Sequence, residues 1–182
     1  MERELARESV EAQNELDLAF RRFEDTQPNL GEKMSDVLCQ PLDETALALG
    51  YFLSIAIWLA FDRTFGARLA QVTADAVRAT EDALALEEEL RAARGDEPLD
   101  LDDIVAMEQP GILEFVHEHV EAALDPGLEG DDREGTGDEP ARPEVSVDDV
   151  RAVYRAILVL TLSLSHAVVP NDGAAQTPEL LA

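Results

Sequence analysis

The longest stretch without a charged residue, residues 45–61, most strongly limits what this chain can fold into. It reads "TALALGYFLSIAIWLAF" and contains the single tryptophan, Trp58. Its 17 residues are the lower limit for a helix that crosses a bilayer. However, Gly50 interrupts the stretch, Asp62 and Arg63 follow it directly, and no basic cluster marks a cytoplasmic end. We therefore expect a buried central helix and no membrane segment.

A second apolar segment, residues 156–165, makes a buried pair of helices possible. It reads "AILVLTLSLS", and Ser146 and Pro170 are the expected start and stop signals of its helix. Asp43 is the corresponding N-cap before the first apolar segment. Because a helix that is apolar on all sides has to be buried, the two segments predict an all-α, compact bundle of about six helices in which they pack together.

The first long helix, predicted over residues 3–24, carries a heptad-like seam. Its members alternate at spacings of four and three residues, which is how helices pair side by side: Leu5, Ser9, Ala12, Leu16, Ala19 and Phe23. Three heptads are too few for a free coiled coil, so the seam is expected to pack within a bundle, and one chain is not expected to cover all of it. It therefore predicts a homo-oligomer, most simply a dimer.

The longest helix is predicted over residues 67–94, directly before Gly95, which is a natural C-terminal stop. One apolar stripe follows it at helical spacing and is expected to face the core: Leu69, Val72, Ala76, Ala79, Ala83, Leu86 and Leu90. Two shorter helices are predicted to begin at Pro28 and Pro110, since proline is favoured at the first helical position.

The two Gln-Pro pairs, at residues 27–28 and 109–110, indicate a weak internal repeat. Each follows a long charged helix and precedes a short helix and then a strongly apolar one. The sequence therefore predicts one all-α domain over residues 1–169, with pseudo-equivalent halves at about 3–65 and 67–169. The alternative is that similar hairpins occur in any helical protein. An acidic segment, 125–145, is expected to be a disordered loop, and 170–182 a flexible tail.

The net charge of −26 limits the possible partners. Only 14 residues are basic, 13 Arg and the single Lys33. Nucleic acid is not expected as a partner, because phosphates require a Lys/Arg footprint. The acidity fits either a salt-adapted proteome or a surface that docks a basic protein. Cys39 is the one cysteine, which excludes an intramolecular disulfide, and the first residues lack the apolar core of a signal peptide. A cytoplasmic location is therefore the default expectation.

The helix beginning at Pro110 contains the one arrangement typical of a metal site. Glu114 and His117 have the Glu-x-x-His spacing of di-iron helical bundles, and Glu118 follows directly. Completing such a site needs carboxylates from other helices, and Asp75, Glu81 and Glu88 are the candidates. The alternative is that these residues form the wet edge of an amphipathic helix whose buried stripe is Ile112, Leu113, Val116, Val120, Ala123 and Leu124. We favour this second interpretation and predict no metal and no cofactor.

These patterns do not define a reaction. His119 points away from His117 by helical spacing, and His166 near a helix C-terminus is explained by the helix dipole. The sequence contains no glycine-rich phosphate loop or nucleophile elbow. The leading hypothesis is therefore a non-catalytic interaction or assembly module that acts as a homo-oligomer. The alternatives are an acidic decoy or immunity-type protein that binds a basic partner, and a carboxylate–histidine metal-binding bundle.

Overall fold

The computed structural model describes residues 2–94, 105–106, 108–124 and 146–170. Side chains at 2–13, 88 and 90–94 are outside this description. The described part contains six α-helices, which confirms the predicted all-α bundle: α1 (Glu2–Thr26), α2 (Pro28–Leu38), α3 (Glu44–Phe65), α4 (Ala74–Arg94), α5 (Pro110–Leu124) and α6 (Val147–His166).

The two apolar helices, α3 and α6, form the centre of the bundle and pack directly against each other. They run parallel, because their starts are joined to each other and so are the segments beyond their ends. They are also aligned, since Gly50, six residues after the start of α3, faces Val153, six residues after the start of α6. Trp58 and Ile157 are both fully buried. Burial of these two segments against each other, as their composition predicts, gives the protein its core.

The starts of α3 and α6 are joined by interlocking caps. Asp43 and Ser146 are the N-caps that the sequence predicts, and their side chains accept hydrogen bonds from the backbone N–H groups of Ala46 (2.9 Å) and Asp149 (3.2 Å). The second oxygen of Asp43 also accepts from the N–H of Ser146 (3.1 Å), and Asp149 accepts from the N–H of Asp43 (2.9 Å). Each carboxylate therefore satisfies an N–H group at the start of the other helix.

The far ends of α3 and α6 are joined by backbone. Leu69 and Val168 form an isolated antiparallel bridge just beyond the two helices. On either side, the N–H of Ala70 donates to the carbonyl of Ala167 (3.0 Å), and the N–H of Val169 donates to the carbonyl of Arg68 (2.9 Å). The central pair is thus tied at both ends.

Helix α1 lies parallel to α3, since contacts further along α1 fall further along α3. The ring of Phe23, near the end of α1, is 5.7 Å from Trp58, while Tyr51, a third of the way along α3, donates a hydrogen bond to Asp17 (3.2 Å). Helix α2 packs against both central helices, and α5 does the same. Helix α4 packs against α6 and α2. The core is therefore a central parallel pair wrapped by four helices.

The predicted helix over residues 67–94 is wrong at its start, since α4 begins only at Ala74. Gly66 adopts a left-handed φ of 51°, which ends α3 and opens a short 3₁₀ turn at Gly66–Arg68. The chain then stays extended through the bridge at Leu69. Thr73 restarts the helix by accepting a hydrogen bond from the N–H of Ala76 (3.2 Å).

The predicted core stripe is correct at Val72, which is buried, and at Leu69, which packs against the core, but it is wrong along α4. The described members Ala76, Ala79, Ala83 and Leu86 are exposed, and Val77, Thr80 and Leu84 are buried instead. Both rows recur at helical spacing, so periodicity alone could not separate them. The bulkier row turns inward because it buries more apolar surface.

Within the described residues, one segment, Glu44–Arg68, is long and apolar enough to cross a membrane. Half of its most apolar 18-residue stretch is buried inside the protein, and Leu53, Trp58 and Phe61 belong to the core. The acidic segment 125–145 and the tail from residue 171 lie outside the described residues. The division into halves at 3–65 and 67–169 stays a prediction.

Candidate functional site

The candidate metal residues lie on the outer part of α5. Nε2 of His117 is 2.9 Å from the hydroxyl of Tyr154 on α6, and the two rings are 5.9 Å apart. Glu114 and Glu118 are exposed. His117 therefore has a direct protein partner on the neighbouring helix, and its two carboxylate neighbours face solvent.

The carboxylates proposed to complete a metal site are engaged elsewhere or fall outside the described side chains. Glu81 forms an ion pair with Lys33 on α2, and exposed Asp75 lies 3.5 Å from Arg78. The side chain of Glu88 is not among those described. Across the described residues, no three His, Cys, Asp or Glu side chains converge in a way that could hold a metal ion. Metal binding at Glu114 and His117 stays a sequence-based hypothesis.

The second histidine of α5, His119, belongs to an aromatic group. Its ring lies 4.3 Å from that of Phe115 and 5.2 Å from that of Phe52 on α3. Nδ1 of His119 is 2.8 Å from the carbonyl of Phe115, and because a carbonyl only accepts, this nitrogen carries the proton. The group packs α5 on α3.

The remaining polar candidates have structural partners. His166 at the end of α6 contacts the carboxylate of Glu108 (3.1 Å). Cys39 is exposed, and its backbone N–H closes the end of α2 by donating to the carbonyl of Ser35 (2.8 Å). These positions agree with the dipole explanation for His166 and give Cys39 a place at a helix end.

Tyr51 has a perturbed acidity. Burial raises the pKa of its hydroxyl above the usual 10.0, and the negative charge of Asp17 and the hydrogen bond to it add to this effect. The ring stacks on Phe20 at 4.6 Å. The contact fixes the middle of α1 on α3, so its role is architectural.

A groove with a volume of about 420 Å³ lies between α4 and α6. Three alanines of α4, Ala76, Ala79 and Ala83, form one wall, and Leu162 and Ser163 of α6 lie opposite. The volume falls in the range typical of small ligand sites. Larger side chains at the alanine positions would fill the space between α4 and α6, whereas the alanines leave it open.

Two hydroxyl groups at the floor of this groove are already paired. The hydroxyl of Ser163 donates to that of Thr80 (3.3 Å), which in turn donates to the carbonyl of Ala76 (3.0 Å). Both residues are buried. The two hydroxyls at the floor are therefore occupied, and the floor favours an apolar contact, while Gln71 and His166 add polar groups to the lining.

The end wall of the groove, residues 70–73, is held by α2 and the residue before it. Gln27 is 2% exposed; its amide nitrogen donates to the carbonyl of Ala70 (3.0 Å) and its amide oxygen accepts from the N–H of Val72 (2.8 Å). Asn29 donates to the carbonyl of Val72 (2.8 Å). Gln27 belongs to the first Gln-Pro pair, but the role of its side chain depends on partners more than 40 residues away in the sequence.

In comparisons with protein-family models, with curated proteins and with solved structures, the chain gives no match.

Proposed function

We propose that this protein is a non-catalytic helical assembly module that works as a homo-oligomer, with chains pairing through α1. The main support is the geometry of α1, which continues beyond the part of the bundle that it packs on. The exposed, solitary Cys39 fits a reducing cytoplasm, where a thiol stays unpaired.

The second half of α1 is committed to its own chain. Phe23 is completely buried, and Leu16, Ala19 and Phe20 pack against the core. Arg22 reaches Asp62 on α3 at 2.7 Å. Half of the predicted seam is thus used within the bundle.

The first half of α1 extends further than α3 does. Asp17 of α1 lies beside Tyr51 of α3, and the two helices run parallel. From this point α3 reaches back only to Glu44, about 10 Å at 1.5 Å per residue, whereas α1 reaches back to Glu2, about 22 Å. The seam positions Leu5, Ser9 and Ala12 therefore belong to turns of α1 that lie near the N-terminal end of α3 or extend past it. A second copy of α1 is the occupant that matches a repeating seam.

The test is the solution mass of the full chain by light scattering at moderate salt. We expect at least twice the 19.9 kDa of one chain. The double variant Leu5→Glu with Ala12→Glu should lower the mass to that of a monomer, because it places charges in the seam.

A matched control on the same helix is Val10→Glu with Asn14→Glu. It changes the net charge by the same amount, but on the side of α1 opposite the seam. The control should retain the oligomer. A monomeric wild-type chain, or equal loss of mass in both double variants, would overturn the proposal.

A further inference from the structure

We infer that the groove between α4 and α6 is a docking site for a basic amphipathic helix of another protein. This surface is separate from α1 and does not depend on self-association. The groove is open and apolar, which defines the shape of the occupant. Carboxylates border it, which defines the charge of the occupant.

The apolar part of the surface has the form of a helix-binding groove. Leu86 is 56% exposed and continues the wall of alanines along α4 at spacings of three and four residues. Small residues allow the backbone of a second helix to approach closely, and an amphipathic helix lays its apolar face into such a groove. The surface therefore accommodates a helix more readily than a compact polar ligand.

The rim of the groove is acidic. Asp75, Asp82 and Glu89 follow one another at seven-residue intervals on α4 and are all exposed, on the solvent side of the alanine wall. Glu108 adds a carboxylate near the other wall, where it meets His166. Arg78 offsets part of the charge beside Asp75. A helix lying in the groove would place its flanking side chains next to this row.

Charge decides among three occupants. A second copy of α4 would bring the same three carboxylates against this row, and like charges at an interface are unfavourable. The chain's own segment 171–182 contains Asp172 and Glu179 but no Lys or Arg. A foreign helix with Lys or Arg beside an Ala/Leu face complements both the groove and its rim.

The test uses a fluorescent synthetic helix of about five turns, with Ala and Leu on one face and Lys on the other. Its binding to the full chain is measured by anisotropy at low and moderate salt. A second peptide, with Glu in place of every Lys, is the probe control. We expect saturable binding of the Lys peptide that weakens with salt, and at least tenfold weaker binding of the Glu peptide, on the order expected for complementary rims.

Two pairs of variants separate the groove from the general acidity of the chain. Neutralising the rim with Asp75→Asn, Asp82→Asn and Glu89→Gln should weaken binding about tenfold. The matched control, Glu15→Gln, Asp25→Asn and Glu32→Gln, changes the net charge equally at exposed residues of α1 and α2 and should weaken it less than about twofold.

The second pair tests the floor of the groove. Ala79→Gln with Ala83→Gln fills it without adding charge and should abolish most of the binding, whereas Ala48→Gln with Ala60→Gln on the exposed side of α3 should not. Circular dichroism checks that each variant stays folded. Equal effects of the two neutralised triples, or an intact affinity in the filled groove, would show attraction by net charge alone and overturn the inference. Binding that appears only after removal of residues 171–182 would assign the groove to the tail and overturn it as well.

Discussion

Helices α3 and α4 both pack against α6, but with residues of different size. Helix α3 contributes large side chains that are fully buried, including Trp58 and Leu53. Helix α4 contributes Val77, Thr80 and Leu84, and leaves a row of alanines at the edge of an open groove. Apolar spacing in a sequence therefore marks a helix face, whereas side-chain volume decides whether that face closes the core or remains a surface.

The largest loss of stability is expected when a large buried side chain of α3 is removed. Trp58→Ala should lower the free energy of unfolding by about 3–5 kcal/mol, because a fully buried ring is replaced by a cavity. Urea denaturation measures the change. Phe52→Ala serves as the control, since Phe52 is 41% exposed and should cost about 1 kcal/mol. Equal losses in the two variants would contradict the assignment of α3 as the central helix.

Overfilling the α3–α6 contact should have the next largest effect. A side chain on Gly50 would start 2.7 Å from a methyl of Leu38 and 3.0 Å from one of Val153. Gly50→Leu should therefore destabilise the protein by about 2 kcal/mol. Gly50→Ala should be much milder, because the Leu38 methyl can rotate and alanine gains about 1 kcal/mol of helix propensity. Thermal denaturation of both variants checks the order.

The interlocked caps should contribute less than the core contacts. Asp43→Ala removes the acceptors for the N–H groups of Ala46 and Ser146, and should cost about 1–2 kcal/mol. Asp43→Asn keeps one acceptor oxygen and should cost about half as much. A double-mutant cycle with Asp149→Ala should give a non-additive result. Strict additivity would mean that the two helix starts are independent.

Adding side-chain volume on the alanine face of α4 should leave the stability of the fold almost unchanged. Ala83→Leu projects into the groove, where space is already open, and should change the free energy of unfolding by less than about 0.5 kcal/mol. Urea denaturation compares it with Gly50→Leu, which adds a leucine to a helix that faces the same α6. A large loss at residue 83 would show that the groove is closed in solution.

The smallest expected effect concerns Tyr51. Its pKa is raised in the folded protein, so the protonated hydroxyl is favoured and its contribution to stability is present below pH 10.0. That contribution is lost as the pH rises through the folded-state pKa. Ultraviolet titration should show one tyrosine ionising later than a free phenol, and Tyr51→Phe should remove that late step. An unchanged titration in Tyr51→Phe would contradict the assignment.

The elements with local start signals could be predicted from the sequence. Pro28 begins α2, and Asp43 and Ser146 cap the two apolar helices as predicted, because each signal acts within three residues of its own helix. The burial of α3 against α6 followed from composition alone, since two helices without a polar face have few other ways to leave water.

The features that sequence reasoning missed depend on distant partners or on equivalent local choices. The break before α4 follows from Gly66 and Thr73, two ordinary residues whose effect is fixed by the bridge to Val168. The inner row of α4 was assigned wrongly because two rows share the same period. The groove was not foreseen, since it arises from the pairing of α4 with α6 and from the anchoring of residues 70–73 by Gln27.

The ties at both ends of the central pair join parts of the chain that are far apart, and the partners of one cap bond are separated by 106 positions in the sequence. A break in the backbone anywhere between Leu124 and Ser146 would therefore cut the covalent connection between α6 and the rest of the chain, but would leave the noncovalent contacts between α3 and α6. The C-terminal piece carrying α6 would stay clasped to the N-terminal piece at both ends of α3. Two fragments produced separately and divided there should therefore associate, because the contacts at both ends of the central pair align α6 with α3.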